Sequence, residues 1–353
     1  MIYLDYQATT PLAPEALKAM LPWLEQGHAN PHSPHRAGRQ ARAAVEVARD
    51  QVAALLPTGG RVVFTSGATE ALNWAIKGTS GGIVTTAIEH AAILDTAQAT
   101  GRPMTVLPVD DEGLVAPQPV ANGTGLVAAM LVNNEVGTIQ PVAALADAAH
   151  HAGAWMLCDA VQGYGRIAIP ETVDLIAVSA HKIYGPKGIG ALWIRDGITL
   201  PPLLHGGDQE GGRSGTLSPA LCAGFGAAAK LMATQVERDA DHVERLWSLA
   251  VERLGAGWTI NGSTTQRYHG NLNVRRDGLD VARLMSDCRD IAFSAGSACA
   301  SGSGRPSHVL TALGLTEREA KSSIRLGFGR YTSEAELTQA IDRINTAARA
   351  QGR

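Results

Sequence analysis

Short runs of apolar residues, separated by helical patterns, recur along the first two-thirds of the chain. The runs predict strands at 61–66, 82–86, 126–132, 154–158, 175–178 and 189–194. A helix is predicted at 67–77, directly after the first strand. The runs are apolar throughout rather than alternating with polar residues, which is typical of strands that helices cover on both faces. The pattern therefore predicts an α/β fold built on a largely parallel sheet.

The pattern changes in the last third of the chain. A long charged helical stretch extends over 235–253, and short strands are predicted around 271–274 and 324–328. The last helix begins with a capping-box pattern at Ser333. These elements predict a second, smaller α+β domain, with a domain boundary near residue 237.

Composition and charge narrow the class of protein. With 353 residues, 45% of them hydrophobic, the chain is long enough to bury the cores of two domains. The formal net charge of −3 gives no basic excess, so a nucleic-acid partner is not expected. The sequence shows neither a basic leader followed by an apolar stretch nor an apolar segment long enough to span a bilayer. We therefore expect a cytoplasmic protein with no membrane partner.

Four cysteines occur, and one of them stands apart. None belongs to a C-x-x-C pair, so no resident metal site is expected. Cys158 lies in a predicted strand, and Cys222 and Cys288 lie in helical patterns, where free cysteines commonly pack in the core. Cys299 lies in a Gly/Ser-rich loop. It is either an accessible, reactive thiol or a loop cysteine with no role.

Polar residues follow several predicted strands, at the edge of the sheet where α/β proteins bind ligands. The segment 65–70 closes a strand and opens a helix, which suits a phosphate, although an ordinary helix cap is the more frequent explanation of such a segment. Asp159 ends an apolar strand, either as a cap or as the partner of a cationic ring nitrogen. Lys182 follows another strand between His181 and a Gly/Pro-rich turn, where it is either solvated or a desolvated nucleophile. The joint occurrence of the three is more specific than any one of them.

These segments resemble the fold-type I pyridoxal 5'-phosphate (PLP) enzymes, and specifically the class I (NifS/IscS-like) cysteine desulfurases of the class V aminotransferase family. The matching segments are 3–11, 64–70, 89–90, 132–137, 159–162, 181–188, 213–216, 294–299 and 322–325. They occur in the family's order over most of the chain. The resemblance implies a large PLP-binding domain over 13–237 with a mainly parallel seven-stranded sheet. It also implies a small α+β domain, made of residues 1–12 and 238–353, that carries the Cys299 loop.

The resemblance implies a set of catalytic roles. Lys182 would form the Schiff base with PLP and move the Cα proton of the substrate. Asp159 would pair with the pyridinium nitrogen, and Gln162 would hydrogen-bond the phenolic oxygen. His90 would stack on the ring and shuttle protons. Cys299 would accept sulfur from L-cysteine as a persulfide, and it could also serve as a transient iron–sulfur ligand.

The remaining site residues follow from the same resemblance. The phosphate would be held by Ala68, Thr69, Ser179 and His181. Thr216 would reach the phosphate from the partner subunit of a homodimer. Asn134 would lie near the ring oxygen and the substrate carboxylate, and Arg325 would bind that carboxylate, a task suited to a planar guanidinium.

Several alternatives stay open at this level. A selenocysteine lyase or another class V aminotransferase-like PLP enzyme would carry the same motifs. A non-catalytic sulfur carrier or scaffold partner is the alternative outside enzyme chemistry, and the intact set of catalytic residues argues against it. The sulfur acceptor is not identified by the sequence. An iron–sulfur scaffold protein is one candidate, although relatives dock it through a C-terminal tail longer than the one found here.

Overall fold

The computed structural model describes residues 1–296 and 307–352. The strands are β1 (Ile2–Tyr3), β2 (Gly60–Thr65), β3 (Gly82–Thr86), β4 (Met104–Leu107), β5 (Thr124–Met130), β6 (Trp155–Asp159), β7 (Leu175–Ser179), β8 (Gly190–Arg195), β9 (Thr259–Ile260), β10 (Asn271–Arg275), β11 (Ile291–Ala292), β12 (Ser294–Ala295) and β13 (Ser323–Gly327). The α-helices are α1 (Pro14–Glu25), α2 (Arg36–Ala53), α3 (Ala68–Lys77), α4 (Ala91–Ala99), α5 (Val142–His151), α6 (Pro219–Leu254), α7 (Val281–Asp287), α8 (His308–Ala312), α9 (Glu317–Lys321) and α10 (Glu334–Gln351).

The largest sheet has seven strands in the order β2-β8-β7-β6-β5-β3-β4. Strands β4, β3, β5, β6 and β7 pair in parallel with one another, in that order. Strand β8 is antiparallel to both β7 and β2. The predicted α/β fold with a mainly parallel seven-stranded sheet is confirmed.

The two faces of this sheet bury separate cores, which explains why its strands are apolar throughout. Val62 and Phe64 on β2 face a core that also contains Phe225 of α6. Val63, between them, faces the opposite core together with Trp74 of α3. Since successive side chains of a strand point to opposite faces, a strand covered on both sides needs apolar residues at every position.

A smaller antiparallel sheet with the order β12-β13-β10-β9 lies in the last third of the chain. Its core includes Leu272, Leu326 and Ile341, and Leu4 from the N-terminal segment packs into the same core. Strand β1 pairs in parallel with β11, which ties that segment to the C-terminal part. The capping box predicted at Ser333 is confirmed at the start of α10.

The long charged helix begins earlier than its pattern indicates. Helix α6 has 36 residues and starts at Pro219, not near residue 235. Its first half is rich in Ala and Gly and packs against α1 and α2, so the charged pattern marks only the second half. Residue 237 lies inside this continuous helix, and the domain division there stays a prediction. Within the described ranges, no helix is long and apolar enough to cross a membrane.

Candidate active site

A cavity of about 650 Å³ lies at the carboxyl ends of β5, β6 and β7. Parallel α/β sheets bind ligands at this edge. The cavity brings together most of the site residues predicted from the sequence: Ala68, Thr69, His90, Asn134, Asp159, Gln162, Ser179, His181, Lys182 and Arg325. Its size is typical of a pocket for a small organic ligand, for which about 300–1,000 Å³ is usual.

Lys182 lies in a short 3₁₀ turn that directly follows β7. Its ammonium group donates hydrogen bonds to the carbonyl oxygens of Gln7 and Ala8, the latter at 3.0 Å. Burial, and to a smaller extent the nearby Arg325 guanidinium, lower the pKa of Lys182 to about 8, although the Asp159 carboxylate acts in the opposite direction. A lysine with such a pKa is partly neutral near neutral pH, so it can act as a nucleophile and as a base.

Asp159 is the last residue of β6 and is buried. Burial raises the pKa of its carboxyl group, whereas the Val161 N–H, His90 and Lys182 lower it. The Val161 N–H donates to Oδ1 at 3.0 Å. A carboxylate held in this way at the cavity wall can accept a hydrogen bond from a cationic N–H group.

The opposite part of the cavity is lined by the N-terminus of α3. Gly67 caps this helix without a side-chain hydrogen bond, and the Glu70 carboxylate accepts from the Ser66 N–H at 2.7 Å. His181 Nδ1 lies 3.1 Å from Thr9 Oγ1. Burial, with the charges of Lys182 and Lys187, lowers the pKa of His181 to about 4, so its imidazole is neutral at physiological pH. A helix N-terminus flanked by a hydroxyl and a neutral imidazole suits a phosphate group.

Arg325 lies on β13 with only 1% of its surface exposed. Its Nη2 donates to Asp5 Oδ1 at 2.8 Å and to Ser294 Oγ at 3.3 Å, and its Nη1 donates to the Asn134 carbonyl oxygen at 2.9 Å. Its buried Nε has no partner within the described residues. Because Arg325 also lines the cavity, its guanidinium can bind a carboxylate there.

His90 is the N-cap of α4, and its Nδ1 accepts a hydrogen bond from the Ala92 N–H at 3.0 Å. The acceptor role of Nδ1 places the ring proton of the neutral imidazole on Nε2. The preceding residue, Glu89, is fully buried beside the site, and burial raises the pKa of its carboxyl group to about 8. His90 thus offers the cavity a ring whose tautomer is fixed by the backbone.

The family model described as Aminotransferase class-V matches residues 2–339. The chain belongs to the class-V aminotransferase family. It is 40% identical to "Cysteine desulfurase IscS" of Rickettsia bellii, with 97% of this chain and 90% of the relative covered.

Solved structures give the same family relationship. The NifS-like protein of Rickettsia africae is 28% identical, with a TM-score of 0.91 over 98% of this chain and 99% of that one. SspA, solved in complex with cysteine, is 33% identical, with a TM-score of 0.84 over 94% of this chain and all (100%) of that one. The resemblance to NifS/IscS-like class-V aminotransferases, first seen in the motifs, is confirmed.

Two of the predicted site residues are not among the described residues that line the cavity of this class-V aminotransferase. Thr216 is exposed and does not line the cavity in the single chain. Cys299 lies outside the described residues. The roles assigned to both stay predictions.

The N-terminal segment contributes cavity residues to which the sequence argument gave no role. Gln7, Ala8 and Thr9 line the cavity, and the Asp5 carboxylate accepts a hydrogen bond from the Arg325 guanidinium. The Gln7 carbonyl oxygen accepts from both Lys182 and Gln162, the latter at 3.0 Å. The available signal was the polar run 5–10 directly after a short apolar strand, since such runs often mark a site in α/β proteins.

Proposed function

We propose that this chain is a PLP-dependent cysteine desulfurase. It would convert L-cysteine and the Cys299 thiol into L-alanine and a Cys299 persulfide. The observation that carries the proposal is Lys182, a partly buried lysine with a pKa of about 8, in one cavity with Asp159 and Arg325. The relationship to proteins named cysteine desulfurase IscS supports it.

The donors and acceptors of the cavity fit PLP. Asp159 would hold the ring nitrogen, Gln162 the phenolic oxygen, and Lys182 the aldehyde carbon. The phosphate would be bound by four residues at the other end: Ala68, Thr69, Ser179 and His181. When bound, PLP acts as an electron sink that acidifies the Cα–H of an amino acid. His90 would lie against the ring face.

The Arg325 guanidinium lines the cavity, which supports an amino-acid substrate. It would donate to the carboxylate of L-cysteine, with Asn134 beside it. The relative SspA, which was solved with cysteine, is consistent with this substrate. Because the guanidinium is tied to Asp5 and to the Asn134 carbonyl, it would orient the substrate with little loss of side-chain freedom.

Lys182 would move the proton at the substrate Cα. A base works best when its pKa lies near the operating pH, and the pKa of about 8 meets that condition. Once the proton is removed, the Cys299 thiolate attacks the sulfur of the substrate and the carbon–sulfur bond breaks. The electron pair left on the substrate carbon takes up a proton, and L-alanine is the organic product. The transfer needs no external oxidant or reductant, because the substrate sulfur ends as the outer sulfur of the persulfide.

The described residues that flank the Cys299 loop support its role. On one side, Ser294 Oγ donates to Asp5 Oδ1 at 2.8 Å and accepts from Arg325. On the other side, Ser307 donates to the buried Glu135 carboxylate, and His308 Nε2 lies 2.9 Å from the carbonyl oxygen of Glu89. The loop therefore leaves and rejoins the fold beside residues of the site.

We further propose a homodimer in which Thr216 of each subunit reaches the phosphate site of the other. The exposure of Thr216 in the single chain is consistent with that role. The persulfide would then be passed to a sulfur-acceptor protein, for which an iron–sulfur scaffold is the proposed class.

One experiment tests the reaction directly. The purified protein is reconstituted with PLP, and its visible absorbance is recorded before and after addition of L-cysteine while alanine and sulfide are assayed in the same tube. We expect a cofactor band that cysteine perturbs, with both products formed. Lys182→Ala should lose the band. Cys299→Ala should keep the band and lose sulfide release.

Cys288→Ala is the matched control, since Cys288 is a buried thiol of the small core and has no proposed role. It should behave as the wild type in both assays. Full turnover by Cys299→Ala would refute the role of that thiol. A protein that shows no band after reconstitution would refute the proposed cofactor.

A further inference from the structure

Arg166 lies in the turn that follows β6 and Gln162. The Arg166 N–H donates to the Gly163 carbonyl oxygen at 2.8 Å, which closes the turn. Gly165 has a φ of +72°, in the left-handed region that glycine adopts without strain. The turn places Arg166 next to the residues that line the cavity but not among them.

The Arg166 guanidinium joins two separate backbone segments of the site. Its Nη1 donates to the carbonyl oxygen of Gln162 at 3.1 Å, and its Nη2 donates to the carbonyl oxygen of Lys182. Gln162 and Lys182 belong to the loops after two neighbouring strands, β6 and β7. A planar guanidinium fixes both the distance and the direction between two such acceptors, which a single ammonium group cannot do.

This guanidinium lies outside the 650 Å³ cavity, whose lining does not include Arg166. It lines a separate cavity of about 180 Å³, together with Tyr184 and Tyr268. Its Cζ lies 5.3 Å from the centroid of the Tyr268 ring, within the range of a cation–π contact. Arg166 therefore acts on the site through the backbone of its neighbours.

We propose that Arg166 is a positioning residue that fixes the backbone of Lys182 relative to that of Gln162 and adds positive charge behind the Lys182 amine. The inference deepens the proposed function, because it rests on Lys182 as the residue that binds the cofactor. The contacts of the Arg166 guanidinium with the two carbonyl oxygens fix the position of the Lys182 backbone, and therefore of its side chain. The positive charge of Arg166 favours the neutral form of the Lys182 amine.

The charges around Lys182 define what the loss of Arg166 should do. Arg325 and Arg166 both lower the pKa of Lys182, after burial, whereas Asp159 and Asp5 raise it. Without the Arg166 charge, less positive charge offsets the effect of the two carboxylates on the pKa of Lys182. The amine should then hold its proton to higher pH.

The test uses three variants and two readouts. In the cofactor-free protein, the pH dependence of reductive methylation of Lys182 is followed by peptide mass spectrometry. In the PLP-loaded protein, kcat and KM for alanine release from L-cysteine are measured. The variants are Arg166→Ala, Arg166→Lys and the control Arg102→Ala. Arg102 is a matched control because its guanidinium also donates to backbone carbonyls, those of Ile76 and Ser80, each at 2.8 Å and away from the site.

For Arg166→Ala we expect the methylation midpoint to move to higher pH and kcat to fall about tenfold or more, with KM little changed. Arg166→Lys should restore the midpoint, because the charge is kept, but not kcat, because the two-carbonyl contact is lost. Arg102→Ala should change neither quantity, even if it lowers the melting temperature.

A wild-type midpoint and kcat in Arg166→Ala would overturn the inference. If that variant does not fold, a wild-type kcat in Arg166→Lys would overturn the two-carbonyl role. The methylation readout needs neither PLP nor turnover. A wild-type protein that binds no PLP would therefore refute the proposed function, while the midpoints of the variants would still decide the role of Arg166.

Discussion

The Arg325 guanidinium and the Asp5 carboxylate form a salt bridge, with Nη2 and Oδ1 2.8 Å apart and the arginine side chain only 1% exposed. The two residues lie at opposite ends of the chain, on the N-terminal segment and on β13. Ser294 Oγ donates to the same Asp5 oxygen, so three segments meet at this pair. The position of the arginine proposed to bind substrate therefore depends on the N-terminal residues.

Asp5→Asn tests this dependence. The amide keeps the shape of the side chain but leaves the buried Arg325 charge without its counter-ion, which misorients the guanidinium. We expect kcat/KM for L-cysteine to fall about tenfold or more, mainly through KM. The control is Asp342→Asn, which removes a half-exposed partner of Arg253 and should leave kcat/KM unchanged. Wild-type KM in Asp5→Asn would contradict the dependence.

The buried Lys182 amine makes the stability of the cofactor-free protein depend on pH. Its pKa is about 8 in the folded protein against 10.5 for an exposed lysine. Between these values the unfolded chain binds more protons than the folded one, so the free energy of unfolding rises with pH. Lys182→Met removes this contribution.

We therefore expect cofactor-free Lys182→Met to have a higher free energy of unfolding than the cofactor-free wild type, with the largest excess at pH 7. This excess should shrink as the pH rises from about 8 to 10.5. Urea unfolding at a series of pH values measures it. A difference that does not change with pH would show that the folded-state pKa of Lys182 is unshifted.

Glu89 should have the opposite pH dependence. Burial raises its pKa from 4.5 to about 8, so between these values the folded protein holds a proton that the unfolded chain has lost. The free energy of unfolding contributed by this group falls as the pH rises through that range. Glu89→Gln keeps an acceptor for the Thr86 hydroxyl and the Met130 N–H, now at 2.6 and 3.0 Å, and cannot ionise.

The Glu89→Gln variant should therefore gain stability relative to the wild type as the pH is raised from 4.5 to 8. Urea unfolding of the two proteins side by side gives this difference, in which the other titrating groups largely cancel. Parallel stability curves for the two proteins would mean that Glu89 is already ionised at pH 5.

The capping box of α10 supplies a prediction about stability alone. Ser333 Oγ accepts from the Glu336 N–H, and the Glu336 carboxylate accepts from the Ser333 N–H at 3.1 Å. Ser333→Ala should lower the free energy of unfolding by about 1 kcal/mol, as is usual for the loss of an N-cap. Chemical denaturation measures the change, and turnover should be unaffected. A loss of turnover without a loss of stability would point to a role for this helix beyond the fold.

The sequence predicted the sheet better than it predicted the helices around it. Strands such as β2, with apolar residues at 62, 63 and 64, are recognisable because both faces are buried. Strand β4 was missed because three of its four residues are exposed at the sheet edge. The first half of α6 was missed because Ala and Gly show no clear amphipathic period.

The cavity was also only partly predictable. Residues at or just after the ends of strands, such as Asp159 and Lys182, can be recognised from the sequence, since α/β proteins bind ligands at the carboxyl ends of their parallel strands. Gln7 carries only the weak signal of the polar run 5–10 and Arg166 carries none, because their importance arises from contacts with distant segments. Gln7 lies 175 positions before Lys182 in the sequence, and its carbonyl oxygen accepts from the Lys182 ammonium group. Only the folded chain reveals such a contact.

Helix α6 limits how the protein can move. Its 36 residues correspond to about 54 Å of continuous helix, with Phe225 packed in one core and Leu246 in the other. Proline occurs only at its first position, so its interior lacks the most common cause of a kink. A hinge motion between the two cores would have to bend helix α6. Because such bending is costly, we expect the two cores to keep their relative position while substrate binds.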